Sequence, residues 1–417
     1  MRKIFVFSLL FISLYGFSQQ GQTLSISNPE EVGMSTVGLK KIDSIMQKYI
    51  DGTKLPGMIT MVARHGKVIQ FQKYGEMNVG KLMQSDAIFR IASMTKPITS
   101  VGIMILCDER RLQLDDPVSK YIPEFKDLKV FSYQDKKGIH IIEQKKQMTI
   151  RNLLTHTSGL GSGMENSYVD SMYKVVDVNE GSLKIEIQKI AKIPLKFQSG
   201  TTWQYGLSSD VLGYIIEVVS GKQLDEFFKE KIFYPLKMID TDYSVPDDKL
   251  NRVSAVYSPG KNGIEVLNIP EINNVSPPVK YLRGNGGLLS TASDYMVFTQ
   301  MLLNKGEYKG ARILRRETVE LMTSNQLTDE IMPNDKFLGQ LMRGMGFGLG
   351  FAVLKDPIQT NNIGSKGSYW WSGTANTYFY IDPKEDLIMI FMTQFVPNFY
   401  YPICEEFREL VYKSIIK

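Results

Sequence analysis

The spacing of apolar residues changes period along this chain, and each change marks an element. Leu39, Ile42, Met46, Tyr49 and Ile50 fall on one face at helical spacing, and Ser35 is placed to cap that helix. Two β-like runs follow, Gly57–Arg64 and Lys67–Tyr74, joined at His65-Gly66 as a hairpin. From Ser93 to about Val275 apolar residues recur mainly at helical spacing, interrupted at Pro117, Pro123, Gly159, Gly161, Pro194 and Gly200. A helix over Ala292–Leu303 comes next, then strand-like runs at Gly346–Leu354, Gly367–Gly373, Thr377–Ile381 and Leu387–Gln394. Asp382-Pro383-Lys384 makes a turn between the last two runs, and Phe399–Ile416 reads as a closing helix.

This order predicts an α+β fold. One antiparallel sheet is built from both chain ends and flanked by helices, and a mainly helical subdomain is inserted between them. The expected domain spans 19–417, with an α/β part at about 26–92 and 276–417 and a helical part at about 93–275. A site is expected in the cleft between the two parts. No internal repeat or low-complexity tract interrupts the pattern.

Residues 1–18 stand apart from it. Arg2 and Lys3 precede an apolar run from Ile4 to Phe17, then Gly16, Ser18 and the polar Gln19–Gln22, which is the pattern of a signal peptide. The run is too short for a permanent anchor, so a periplasmic or secreted protein with no membrane span in its mature form is expected. Of 417 residues, 43% are hydrophobic and 22% charged, ordinary globular composition. The net charge of +5 is scattered among acids, so no nucleic-acid partner is expected. Cys107 and Cys404 are the only cysteines, too few for a disulfide framework, and the sequence leaves open whether they pair. With three histidines, no metal site is expected either.

The pattern Ser-x-x-Lys supplies a nucleophile and a candidate base, but it occurs four times: at Ser93/Lys96, Ser171/Lys174, Ser258/Lys261 and Ser414/Lys417. Only Ser93 opens a long apolar helical run, Ile98 to Leu106, after a β-like Ala87-Ile88-Phe89-Arg90. Pro97 fits a first helical turn, where backbone N–H groups have no intrahelical partner. The helix start also lends partial positive charge to the nucleophile. The competing reading is that Ser93 only caps the helix.

A lysine, with an ordinary pKa near about 10.4, is a poor base alone, and a tyrosine is its natural companion. Tyr205 stands in Gly200-Thr-Thr-Trp-Gln-Tyr-Gly-Leu-Ser-Ser, just before a helix that Ser208 or Ser209 could cap. Trp370-Trp371-Ser372-Gly373-Thr374 ends one β-run, and Gly373 is expected to let substrate approach the strand edge. Trp203, Trp370 and Trp371, all the tryptophans of the chain, fall in these two neighbourhoods.

With these three elements in this order, the chain from about Ile26 to Leu410 resembles the serine β-lactamase-related family of class C β-lactamases, D-Ala-D-Ala carboxypeptidases and family VIII carboxylesterases. Leu114–Phe125, Ile150–Gly159 and Gly286–Tyr295 also look like family segments. The resemblance implies Ser93 as nucleophile, Lys96 and Tyr205 as its proton-handling partners, and the backbone N–H groups of Ser93 and Thr374 as oxyanion hole. Leu207, Trp371, Ser372 and Gly373 would face substrate. Leu207 and Trp371 stand where many β-lactamases carry an asparagine and a lysine, which shifts the expectation from a charged β-lactam or peptide towards a neutral ester or amide. Lys366 is a weak candidate to restore the cation.

The expected chemistry is acyl transfer through an acyl-enzyme, without cofactor, on a small ester or amide. A peptidoglycan-derived peptide or a β-lactam is the alternative substrate, and a catalytically silent binding protein the alternative function. His156 sits in a family structural segment and is read as structural. The chain has no Gly-x-Ser-x-Gly elbow.

Overall fold

The computed structural model of the protein describes residues 26–175, 182–261, 263–279, 281–331, 333, 342, 344–360 and 363–416. The expected leader at 1–18 lies outside them.

The two chain ends meet in one antiparallel sheet of eight strands. Its order is Met345–Phe347, Ala352–Leu354, Tyr369–Ser372, Thr377–Asp382, Leu387–Thr393, Gly57–Arg64, Lys67–Asn78 and Lys81–Leu82. The ends join at its centre, where Met61 pairs with Ile390 and Met58 with Thr393. Leu387–Thr393 is buried along its whole length, and side chains alternate across a strand, so both faces must be covered. Phe391 meets Phe407 of the C-terminal helix Ile403–Lys413. Phe379, paired with the neighbouring Ile390, meets Tyr295 of helix Ala292–Leu303 from the other side. That double cover explains a continuous apolar run where a half-exposed strand would alternate.

Local chemistry sets the element ends. Ser35 accepts from the Gly38 N–H and starts helix Thr36–Asp51, as its position predicts. The Lys384 N–H donates to Asp382 Oδ1 and closes the expected turn. The closing helix is shorter than Phe399–Ile416, because Phe399 takes a left-handed φ of 56° and the helix proper starts after Pro402. The run Gly346–Leu354 is not one strand. Gly350, at φ 97° and with Ser100 Oγ 2.2 Å from where a Cβ would stand, folds it into two short paired strands.

Between the halves of the sheet, helix Thr95–Asp108 packs against helix Ser208–Ser220 in a mainly helical region. That region also contains two hairpins that helical spacing does not predict, Lys129–Asp135 with Gly138–Glu143 and Tyr257–Gly260 with Gly263–Val266. Ile139 and Ile141 follow period two, and in a surface ribbon this short the local pairing decides the structure. Cys107 and Cys404 are free thiols.

Truncating Ile390, fully buried on the central strand, leaves a cavity in the main core. Ile390→Ala should lower unfolding stability by about 2–5 kcal/mol in urea titration with an unchanged slope. A loss below about 1 kcal/mol would show that this strand does not anchor the core.

Candidate functional site

Ser93 lies in a single 3₁₀ turn, Ala92–Met94, that runs directly into helix Thr95–Asp108. Its hydroxyl makes no capping bond. It accepts from the Tyr205 hydroxyl at 2.8 Å and from Lys96 Nζ at 3.1 Å, so this serine is not a helix cap. Lys96, one helical turn on, is buried and also donates to the Asn285 carbonyl at 2.8 Å.

The turn is held from every side. Ala92 takes φ 44°, a left-handed conformation costing a residue with a side chain about 1–2 kcal/mol. Tyr295 donates to the Met94 carbonyl at 2.9 Å, Leu288 N–H to Thr95 Oγ1 at 3.3 Å, and Thr99 to the Gly284 carbonyl at 2.7 Å. The loop carrying Asn285 is fixed in turn, its N–H donating to buried Asp210 Oδ1 at 2.9 Å. Burial raises the Asp210 carboxyl above its ordinary range, although Arg283 and these backbone donors oppose that. Sequence reading missed Asn285 and Asp210: one acts through a backbone carbonyl that any residue supplies, and the other sits inside a helix whose apolar face was the visible signal.

Tyr205 arrives on the loop before helix Ser208–Ser220. Gln204 N–H donates to the His156 carbonyl at 2.8 Å and Leu207 N–H to that of Gly161 at 3.1 Å, which fixes the loop on either side. The Tyr205 ring lies 5.0 Å from His156 and 5.5 Å from Trp371, with Lys96 Nζ 4.5 Å from its centroid. Neither Ser208 nor Ser209 caps the helix. It starts after Leu207 without a side-chain cap, and Ser208 Oγ is spent on Ser158 at 2.8 Å. His156 is buried among aromatic rings, and desolvation, helped by the Lys96 charge, pushes its pKa down to about 3.

Strand Tyr369–Ser372 packs against the nucleophile turn and brings Trp371, Ser372 and Thr374 to the cavity wall, opposite Gly206 and Leu207. Gly373 meets a packing demand that the sequence did not show. A Cβ there would stand 2.5 Å from the Ile91 carbonyl and 2.2 Å from Thr377 Oγ1. The glycine lets the strand end press on the nucleophile segment, and it is its neighbours Ser372 and Thr374 that line the cavity. Lys366 is exposed in the turn ahead of the strand and does not line the cavity. Among the described residues no cluster of histidine, cysteine or acidic side chains could hold a metal.

A serine hydroxyl bonded to a buried lysine and a tyrosine, at the junction of an antiparallel sheet and a helical insert, is equipped for nucleophilic acyl transfer. The beta-lactamase family model matches residues 42–413, and the chain belongs to that family and is a serine hydrolase. It is 33% identical over 362 residues to the protein Rv1367c of Mycobacterium tuberculosis, covering 85% of this chain and 89% of the relative. It is 27% identical over 380 residues to esterase EstB of Burkholderia gladioli, with the same coverage of 85% and 89%. Among solved structures, EstCE1, a hydrolase with promiscuous acyltransferase activity, superposes with a TM-score of 0.78 at 23% identity, over 90% of this chain and 98% of that one.

The His156 environment predicts a pH effect on stability. The unfolded imidazole takes up a proton near about pH 6.5, whereas His156 stays neutral down to about 3. Between these values the unfolded state binds more protons, so the contribution from His156 is present above pH 6.5 and lost as pH falls. His156→Asn keeps a side chain tolerant of the left-handed φ of 55° and removes the titration. Its urea midpoint should fall less steeply than wild type between about pH 6.5 and 4. Parallel slopes would contradict the neutral buried imidazole.

Proposed function

We propose that this serine hydrolase cleaves a small ester or amide through an acyl-enzyme on Ser93, as an esterase more than as a β-lactamase. The observation that carries the reading is the Ser93 hydroxyl held by the Tyr205 hydroxyl at 2.8 Å and Lys96 Nζ at 3.1 Å. Both neighbours can donate to Ser93, and the serine proton can leave only if one of them is deprotonated. The pair then works as a unit, one member taking the proton while the other keeps a charge-assisted bond to the oxygen. Ser93 Oγ adds to the carbonyl carbon, the tetrahedral oxyanion is received by the backbone N–H groups of Ser93 and Thr374, and the proton passes to the leaving oxygen or nitrogen. Water, activated by the same pair, releases the acyl group.

The tilt towards esters rests on Leu207 and Trp371, two apolar side chains on the cavity wall where an amide and a carboxylate would need polar partners. A D-Ala peptide or β-lactam is thereby disfavoured, and a silent binding role is disfavoured by the assembled serine, lysine and tyrosine. The Arg2–Ser18 leader supports export to the periplasm or beyond, and a mature chain starting near Gln19 would be its signature in intact-mass analysis.

Ser93→Ala should abolish turnover of p-nitrophenyl butyrate with unfolding unchanged. Lys96→Ala and Tyr205→Phe should each lower kcat by about 10²–10⁴-fold, the worth of general base catalysis. Wild-type kcat/KM should be larger for p-nitrophenyl butyrate than for benzylpenicillin. The reverse order would refute the ester assignment, and a Tyr205→Phe enzyme with normal kcat would remove the tyrosine from the proton path.

A further inference from the structure

The dipeptide Gly284-Asn285 runs between two helices, Thr95–Asp108, which carries Lys96, and Ser208–Ser220, which follows Tyr205. It is bonded to both. On the first side Lys96 Nζ donates to the Asn285 carbonyl at 2.8 Å and Thr99 Oγ1 to the Gly284 carbonyl at 2.7 Å. On the second side the Asn285 N–H donates to Asp210 Oδ1 at 2.9 Å. The approach there is close. A Cβ on Gly284 would stand 2.0 Å from the Ser209 carbonyl oxygen, and one on Gly213 would stand 3.1 Å from the Gly284 Cα. The two glycines let the loop backbone lie directly on the helix, and Asp210 supplies the side-chain bond that fixes where it lies.

Asp210 holds this loop at a cost. It is fully buried, and its Oδ2 has no hydrogen-bond partner among the described residues. Glu186, on helix Leu183–Ile190, is a second buried carboxyl that feels the Asp210 charge, and its Oε2 has no partner among them either. Burying an acid with part of its hydrogen-bonding capacity unmet is unfavourable for the fold, and such arrangements concentrate where function requires them. Desolvation raises the Asp210 carboxyl, and four groups oppose the rise: Arg283, the Asn285 N–H, Lys96 and the Gly284 N–H. Three of these four belong to the segment 283–285, and the remaining one is the lysine that the segment holds. Asp210 itself does not line the cavity.

We propose that Asp210 is a positioning residue for acyl transfer: by holding the Asn285 backbone it keeps the Asn285 carbonyl where Lys96 must find it to present Nζ to Ser93 Oγ. The inference rests on the esterase reading above and adds to it a residue that touches neither substrate nor nucleophile. Without the carboxyl the loop keeps its Thr99 bond to one helix and loses its side-chain bond to the other. Misplacing a reacting group by about 1 Å can lower a rate about 10²-fold, so a small drift of this loop is enough to be felt at Ser93.

Two rates test this in the full chain: kcat/KM for p-nitrophenyl butyrate, and the second-order rate of fluorophosphonate labelling at Ser93. Both are expressed per active site titrated to completion, so that a loss of folded protein does not move them. Asp210→Ala removes the acceptor for the Asn285 N–H, whereas Asp210→Asn keeps an oxygen that can take it. Asp210→Ala should lower both rates at least fivefold and in parallel, and Asp210→Asn should restore both to within about threefold of wild type. Glu186→Gln alters the neighbouring buried acid without touching the loop, and should leave both rates within twofold. If Asp210→Ala does not fold, Asp210→Val is read in its place, since an apolar side chain of similar size is often tolerated where a buried charge stood. A loss smaller than fivefold, or an Asp210→Asn enzyme as slow as the alanine or valine variant, overturns this inference and spares the esterase reading. A wild-type protein that neither turns over the ester nor labels at Ser93 overturns both.

Discussion

Lys96 is a buried amine, and burying so polar a group is tolerated only where hydrogen bonds replace the lost water. Its Nζ donates to Ser93 Oγ in the turn just before its own helix and to the Asn285 carbonyl, which arrives from a loop nearly two hundred residues later. That second bond requires the loop to stand at one height, and the Asn285 N–H fixes it by donating to Asp210 on the helix after Tyr205. The two segments that contribute the reacting groups are therefore linked through one lysine and the Asn285 loop. The left-handed Ala92, the Thr99 bond to Gly284 and the pressure of Gly373 on Ile91 hold the same junction from other directions. Groups preorganised this way need little rearrangement as charge develops on Ser93.

Around the polar cluster the walls are aromatic. Trp203, Phe347, His156 and Trp371 form a connected set of rings with Tyr205 at its edge. The neutral His156 belongs to this packing, and the Ser93 hydroxyl is addressed by Lys96 and Tyr205 instead. An apolar surround strengthens each electrostatic interaction within it, which suits a mechanism resting on one shared proton.

Much of this was legible in the sequence, for identifiable reasons. The double-faced burial of Leu387–Thr393 left a continuous apolar run, Ser35 announced a helix start, and Pro97 fixed the register of the nucleophile helix. Ser93, Lys96 and Tyr205 could be singled out because each sits at an element boundary with a recognisable context. Asn285 could not, because its contribution is a carbonyl. The packing of Gly373 against Ile91 was not legible, because sequence shows that a side chain is missing but not which neighbour needs the space. The two hairpins within 93–275 were hidden by the helical periodicity around them. The residues that line the cavity come from distant segments, among them Phe89–Arg90 and the stretch before Gly284, and only the fold brings them together.

The central claim is that Ser93, activated by Lys96 and Tyr205, forms a covalent acyl-type adduct. A fluorophosphonate reacts with an activated serine at rates that follow its nucleophilicity, so labelling of the folded protein followed by peptide mapping tests the claim directly. The account predicts a single adduct on the peptide containing Ser93, formed far more slowly in Lys96→Ala and absent in Ser93→Ala. An adduct on another residue, or undiminished labelling of the Ser93→Ala protein, would contradict it.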